Sequence, residues 1–82
     1  MMARAVYPEI DVENQCIALP ADVTVAMAAF AGLTEFYHRY SFSCRRAYLE
    51  YVLEAQKPAT RQSRIDKLMV MLLAEMEKKH KQ

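Results

Sequence analysis

Apolar residues recur at helical spacing along most of the chain after residue 20, and this spacing predicts four helices. The first is expected to begin at Pro20, which suits the first helical position, with Asp22 in the first turn and Gly32 as a left-handed cap. Its apolar face is formed by Val23, Ala26, Met27 and Phe30. The same spacing predicts a second helix from Leu33 to Tyr40, which needs tertiary packing because so short a helix is marginal alone.

A third helix is predicted between a serine pair and a proline. Ser41 or Ser43 is expected to cap it through the hydroxyl, and Pro58 cannot continue it. A second apolar stripe contains Leu49 and Leu53. The main apolar face comprises Cys44, Tyr48, Tyr51, Val52 and Ala55. We therefore expect these rings and this thiol to lie mostly in the core, with the tyrosine hydroxyls at its rim; an aromatic-lined pocket between helices is the functional alternative.

The fourth predicted helix is apolar on nearly all sides. Thr60 is expected to be its N-cap. Its main stripe comprises Ile65, Leu68, Met69, Leu72 and Met76. Val70, Met71 and Leu73 fill most of the remaining positions. Such a helix is buried on more than one side, so it is either the central helix of the bundle or partly covered by another subunit.

Residues 1–19 have no sustained period and are expected to form an extended N-terminal arm, followed by a helical bundle over residues 20–82. Within the arm, Val6, Ile10 and Val12 are expected to make short extended contacts, and Gln15 to Leu19 is a marginal strand that needs a partner, which could be a second copy of the chain. With 82 residues, one glycine and three prolines, the chain is predicted to be an all-α domain, a small bundle of about four helices.

Composition narrows the function classes. A net charge of +1 argues against nonspecific nucleic-acid binding. The longest apolar run, Leu68 to Ala74, is too short to span a bilayer, and the N-terminus has no signal-peptide pattern, so a cytoplasmic protein is expected. Cys16 and Cys44 are expected to be reduced and buried rather than a disulfide framework.

No residue pattern here predicts catalysis or a cofactor. His38 and Cys44 are the nearest candidates for a nucleophilic pair, but no Asp or Asn is positioned to orient the histidine and no glycine-rich oxyanion loop follows. The two cysteines and two histidines lack the spacing of zinc ligands, and one glycine cannot build a phosphate-binding loop. We therefore expect a protein that is not an enzyme and has no metal or other cofactor.

Basic residues in the first turns of the third and fourth helices are the candidate contact residues. They are unfavourable there because a helix N-terminus carries a partial positive charge. In the structural interpretation, the two helices form an antiparallel hairpin in which Glu50 and Glu54 pair with arginines across the hinge, while Glu75 and Glu77 lie near the other end. In the functional interpretation, the cations and backbone amides near the hinge bind an anion or an acidic partner. The candidate set is Arg45, Arg46, Lys57, Thr60, Arg61 and Arg64.

Several of these positions also carry a family resemblance. The segments that match are Leu19-Pro20-Ala21-Asp22, Ser41-Phe42-Ser43, Arg45-Arg46-Ala47-Tyr48, Ala55-Gln56 and Thr60-Arg61-Gln62-Ser63-Arg64-Ile65. Over about residues 17–77 the chain resembles the bacteriocin-protection, YdeI or OmpD-associated family. Tyr51 replaces a usual tryptophan, Gln56 a lysine and Phe42 a frequent proline.

The resemblance implies a helical module linked with resistance to bacteriocins, cationic peptides or envelope stress in bacteria. We expect this module to be non-enzymatic and to act by interaction. A protein partner is expected at the exposed cations, and self-association is expected through the N-terminal arm or the fourth helix. The alternative is a small-molecule or anion-binding protein with its site at the helix hinge near Thr60. These two hypotheses differ in whether the hinge cations are paired within the chain.

Overall fold

Four α-helices follow a small two-stranded sheet in a computed structural model that describes residues 7–80. The elements are β1 (Ile10–Asp11), β2 (Cys16–Ile17), α1 (Ala21–Ala28), α2 (Leu33–His38), α3 (Phe42–Leu53) and α4 (Pro58–His80). The predicted all-α class with about four helices is thus confirmed. Residues 1–6 of the predicted arm, including Val6, and residues 81–82 of the predicted bundle lie outside the described part.

The described end of the N-terminal segment folds back on itself. β1 and β2 are antiparallel, with Ile10 opposite Ile17 and Asp11 opposite Cys16. The Asp11 carboxylate accepts hydrogen bonds from the Asn14 backbone and side-chain nitrogens at 3.1 and 2.8 Å, and these bonds lower the pKa of Asp11. The marginal strand predicted near Cys16 therefore finds its partner within the same chain, and Ile10 is buried in the core.

The first two helices are shorter than predicted. Pro20 is the residue before α1, and Val23 and Met27 are buried as expected. Phe30 is 39% exposed because α1 ends at Ala28, so the helical period that placed it on the buried face no longer applies. Gly32 adopts the predicted left-handed conformation (φ 78°), but it precedes α2 rather than directly ending α1.

The buried face of α3 is rotated relative to the prediction. Ser41 caps the helix, its hydroxyl accepting the Cys44 backbone N–H at 3.3 Å. The buried residues of the helix are Leu49, Glu50 and Val52, whereas Tyr48 and Tyr51 are only half-buried. Tyrosines are amphipathic, so their rings lie along the rim of the core while the purely aliphatic residues fill it. The prediction of buried thiols is wrong, since Cys16 and Cys44 are both exposed.

The long helix α4 is the centre of the bundle. It packs against α1, α2 and α3, and its inner stripe is buried at Ile65, Leu68, Met69 and Leu72. The helix begins at Pro58, whose missing N–H is harmless in the first turn, so the prediction of Thr60 as N-cap is wrong. Among residues 7–80, no helix combines the length and the apolar character needed to cross a membrane.

Candidate binding surfaces

Arg61 at the start of α4 is bound to the first turn of α1. Its Nε donates to Asp22 Oδ2 at 2.7 Å and its Nη2 donates to Asp22 Oδ1 at 3.1 Å. These hydrogen bonds lower the pKa of Asp22 and raise that of Arg61. The predicted pairing of Arg61 across the α3–α4 hinge is therefore wrong, because the N-termini of α1 and α4 lie side by side.

Arg64, one turn further along α4, is bound to the end of α3. Its Nη1 donates to the Tyr51 carbonyl at 2.7 Å, and its guanidinium carbon lies 5.0 Å from the centroid of the Tyr51 ring. The distance from Arg64 Nη1 to Glu54 Oε2 is 3.7 Å, which confirms the predicted ion pair between these two residues. Carbonyls in the last turn of a helix lack intrahelical partners, so Arg64 serves as a C-terminal cap for α3.

Arg45 and Arg46 lie at the α2–α3 junction. Arg46 Nε donates to Glu50 Oε2 at 3.3 Å, one turn along the same helix. Arg45 Nε donates to the Tyr40 carbonyl at 3.2 Å, and the Arg45 carbonyl accepts the buried Tyr37 hydroxyl at 2.8 Å. Burial raises the pKa of Tyr37 to about 12. These contacts are with α2 and α3 rather than with the predicted carboxylates of α4.

The six predicted contact residues do not converge on one site. Arg45 and Arg46 lie at the start of α3, and the other four surround the start of α4. Lys57 and Thr60 are exposed, but the two arginines beside them are bound to Asp22 and to the end of α3. With these cations paired internally, an anion site at the hinge has no support.

The structure instead contains an apolar groove between α3 and α4, which gives a place to the aromatic-lined pocket that the sequence offered only as an alternative. Val70 and Met71 on α4 are 66% and 40% exposed. The groove has a volume of about 610 Å³ and is lined by Ala47, Tyr48, Tyr51, Asp66, Lys67, Val70 and Met71. The sequence hint of this groove was that α4 has more apolar residues than its buried stripe needs. Which of them are exposed becomes clear only when the helices that cover the other sides of α4 are known.

A second cavity lies between α2 and the C-terminal part of α4. It has a volume of about 230 Å³ and is lined by Phe36, Arg39, Tyr40, Met76 and Lys79. The Lys79 ammonium lies 5.7 and 5.5 Å from the centroids of the Phe36 and Tyr40 rings. Those two rings pack edge to face at 5.3 Å, and burial raises the pKa of Tyr40. The cavity thus combines an aromatic wall with two cations.

His38 and Cys44, the residues considered for chemistry, are not among the residues that line the two cavities. The His38 ring packs edge-on against Tyr37 with centroids 5.7 Å apart, and the Cys44 side chain is exposed. Within residues 7–80 no group of three His, Cys, Asp or Glu residues is placed to hold a metal ion.

Fold and surfaces together define a small all-α protein with open grooves between its helices. The model of the bacteriocin-protection, YdeI or OmpD-associated family matches residues 17–75, which is most of the chain. The chain therefore belongs to this family, as its motifs predicted. Searches of curated proteins and of solved structures gave no match.

Proposed function

We propose that this protein is a non-enzymatic interaction module of its family, and that it binds an amphipathic helix of a protein partner in the α3–α4 groove. The observation that carries the proposal is the apolar lining of the groove, with Val70 two-thirds exposed. Contiguous apolar surface often marks an interaction site, and Val70 and Met71, two exposed apolar side chains of α4, lie together in this groove.

The shape and chemistry of the groove favour a helix as the occupant. Two packed helices, α3 and α4, form its walls, and a further amphipathic helix can place apolar anchors between them. Tyr48, Tyr51 and Met71 supply rigid aromatic and adaptable thioether surfaces, which are common at such contacts. The groove of about 610 Å³ is large enough for several side chains.

Charge at the edge of the groove narrows the partner further. Asp66 and Lys67 are exposed neighbours on α4 and both line the groove. A partner helix with a basic residue facing Asp66 and an acidic residue facing Lys67 complements these charges. Such pairs fix the direction in which the partner helix lies and add little affinity. The partner we propose is therefore an apolar-faced helix of mixed charge, not a strongly acidic peptide.

The proposed setting is the bacterial cytoplasm, in the protection against bacteriocins that the family description names. Two exposed cysteines without a disulfide suit a reducing compartment. The arginines donate hydrogen bonds to Asp22, Tyr51 and Tyr40 within the chain, so we place the partner contact in the apolar groove and not at these cations.

Val70→Lys tests the groove, and Val25→Lys is its matched control. Val25 on α1 is 70% exposed and does not line the groove. A bacteriocin-sensitive bacterial strain would express wild type or either variant, and survival and captured proteins would be compared. We expect Val70→Lys to lose both the protection and a captured protein, and Val25→Lys to retain both. When the captured protein is purified and mixed with the wild-type chain, NMR should show binding at α3 and α4.

Two results would overturn the proposal. One is equal protection and equal capture by both variants. The other is a wild-type dimer, measured by light scattering, that Val70→Lys converts to monomer while no other protein is captured; the groove would then bind a second copy of the chain.

A further inference from the structure

The cavity between α2 and α4 has a composition that the proposed function does not use. Its wall is apolar, from Phe36, Tyr40 and Met76, and its charged groups are the cations Arg39 and Lys79. An adjoining cavity of about 350 Å³ shares Phe36, Arg39 and Met76 and adds Glu35. We propose that this cavity binds a small organic anion of the aromatic carboxylate class.

The two cations lack acidic partners within the described part of the chain. Arg39 is exposed, and its side chain makes no hydrogen bond or ion pair to residues 7–80. Lys79 contacts the faces of two rings rather than a carboxylate. Every other arginine from residue 7 onward donates from its side chain to an acceptor of the chain. Arg39 and Lys79 therefore bring like charges to one cavity without compensation, which an anion would relieve.

Neighbouring acidic residues leave room for this anion. Glu35 lines the adjoining cavity, not the one with Lys79, and it forms no ion pair with Arg39 one turn along α2. Besides burial, the nearby Glu75 carboxylate raises the pKa of Tyr40, which lines the cavity. This carboxylate is 3.7 Å from the Lys78 ammonium, so its charge is partly balanced on its own helix. The local charge at the cavity between Arg39 and Lys79 thus favours a negative ligand.

The aromatic wall selects the apolar part of the ligand. A planar ring can pack against Tyr40 and Met76 while its carboxylate accepts two N–H groups of the Arg39 guanidinium and one N–H of the Lys79 ammonium. The volume of about 230 Å³ suits a single ring with one acidic group. A small inorganic ion would pair with the cations but leave the apolar wall exposed to water. An uncharged ring would cover the wall but leave the cations without a counter-charge.

Titration of the 82-residue chain with benzoate, followed by two-dimensional NMR, tests the assignment. Acetate supplies the charge without the ring, and benzyl alcohol supplies the ring without the charge. We expect saturable shifts in α2 and the end of α4 with benzoate, and roughly tenfold weaker binding of either partial probe.

Substitutions identify the cavity as the source of the shifts. Arg39→Gln and Lys79→Gln are each expected to weaken benzoate binding roughly tenfold, and Arg39→Lys by less, because it keeps the charge but loses the bidentate fork. Lys57→Gln is the control, since it removes one exposed positive charge at a residue that lines neither cavity and leaves the Lys78–Glu75 pair intact. Thermal unfolding by circular dichroism verifies that each variant folds.

The proposal is overturned if benzoate produces no saturable shift, if acetate binds as tightly as benzoate, or if Lys57→Gln weakens binding as much as Lys79→Gln. The last two results would mean a general response to charge. None of the substituted residues lines the α3–α4 groove, so the outcome is separate from that of the Val70 test.

Discussion

Two sets of basic side chains on the helices differ in what they contact. At the start of α4, Arg61 and Arg64 bind Asp22 and the end of α3. At the other end of α4, Arg39 and Lys79 border a cavity and have no carboxylate partner among residues 7–80. The conspicuous arginine motif of the sequence is thus structural, and the less conspicuous pair has the capacity for a ligand. The role of a basic side chain is therefore indicated by whether it has a partner within the chain, and not by the sequence motif to which it belongs.

The largest expected difference between the two sets is in stability. Arg64→Ala removes a charged hydrogen bond to the Tyr51 carbonyl and a contact with its ring, and should lower the free energy of unfolding by about 2 kcal/mol. Arg39→Ala should change it by less than about 0.5 kcal/mol. Urea unfolding of both variants measures the difference, and equal losses would contradict the division into structural and unpaired cations.

Tyr37→Phe sharpens the comparison at the cavity end, because Tyr37 attaches the helix of Arg39 to α3. Removing its hydroxyl leaves the Arg45 carbonyl without that donor and should cost about 1–2 kcal/mol in urea unfolding. The control is Tyr51→Phe, whose hydroxyl has no partner in residues 7–80 and whose ring contact with Arg64 survives. A Tyr37→Phe variant as stable as Tyr51→Phe would show that the junction does not depend on this bond.

The Asp22–Arg61 pair should contribute a smaller, pH-dependent stabilisation. The side chains are 43% and 29% exposed, so a double-mutant cycle of Asp22→Asn and Arg61→Gln should give a coupling of about 0.5–1 kcal/mol. Since Arg61 lowers the pKa of Asp22 below 3.8, this stabilisation is complete above the unfolded-chain pKa and is lost as the pH falls through the lower folded pKa.

The cycle measured at pH 7 and again below pH 3.8 tests the sign of that dependence. The coupling should shrink at the lower pH and also in high salt, because the pair is partly exposed. A coupling that grows on acidification would be incompatible with the bidentate contact.

The smallest expected effect is that of Glu54→Gln. The carboxylate is 62% exposed and lies 3.7 Å from Arg64, which is too far for a strong hydrogen bond, so unfolding should change by about 0–0.5 kcal/mol. If Glu54→Gln lowered the free energy of unfolding as much as Arg64→Ala, Arg64 would stabilise the protein mainly through the ion pair and not through the Tyr51 carbonyl.

The contrast between the two sets also explains which parts of the candidate sites were predictable. The Arg64–Glu54 pair follows from a local rule, since a short connection makes α3 and α4 an antiparallel hairpin and brings their adjoining ends together. The Arg61–Asp22 pair joins residues 39 positions apart, and periodicity carries no information about which helix ends become neighbours. Neither groove has a local signature, because each is formed by side chains from two helices.

Sequence alone determined the all-α class, the four helices, a serine cap for α3 and the inner stripe of α4, because propensity, capping and the 3.6-residue period act within a few residues. Tertiary structure decided which side of α3 faces the core, where Cys16 finds its strand partner and which cations remain unpaired. These features depend on how distant segments pack, and α4 touches every other helix. The exposure of Val70 also depends on this packing, because it is decided by which sides of α4 the other helices cover.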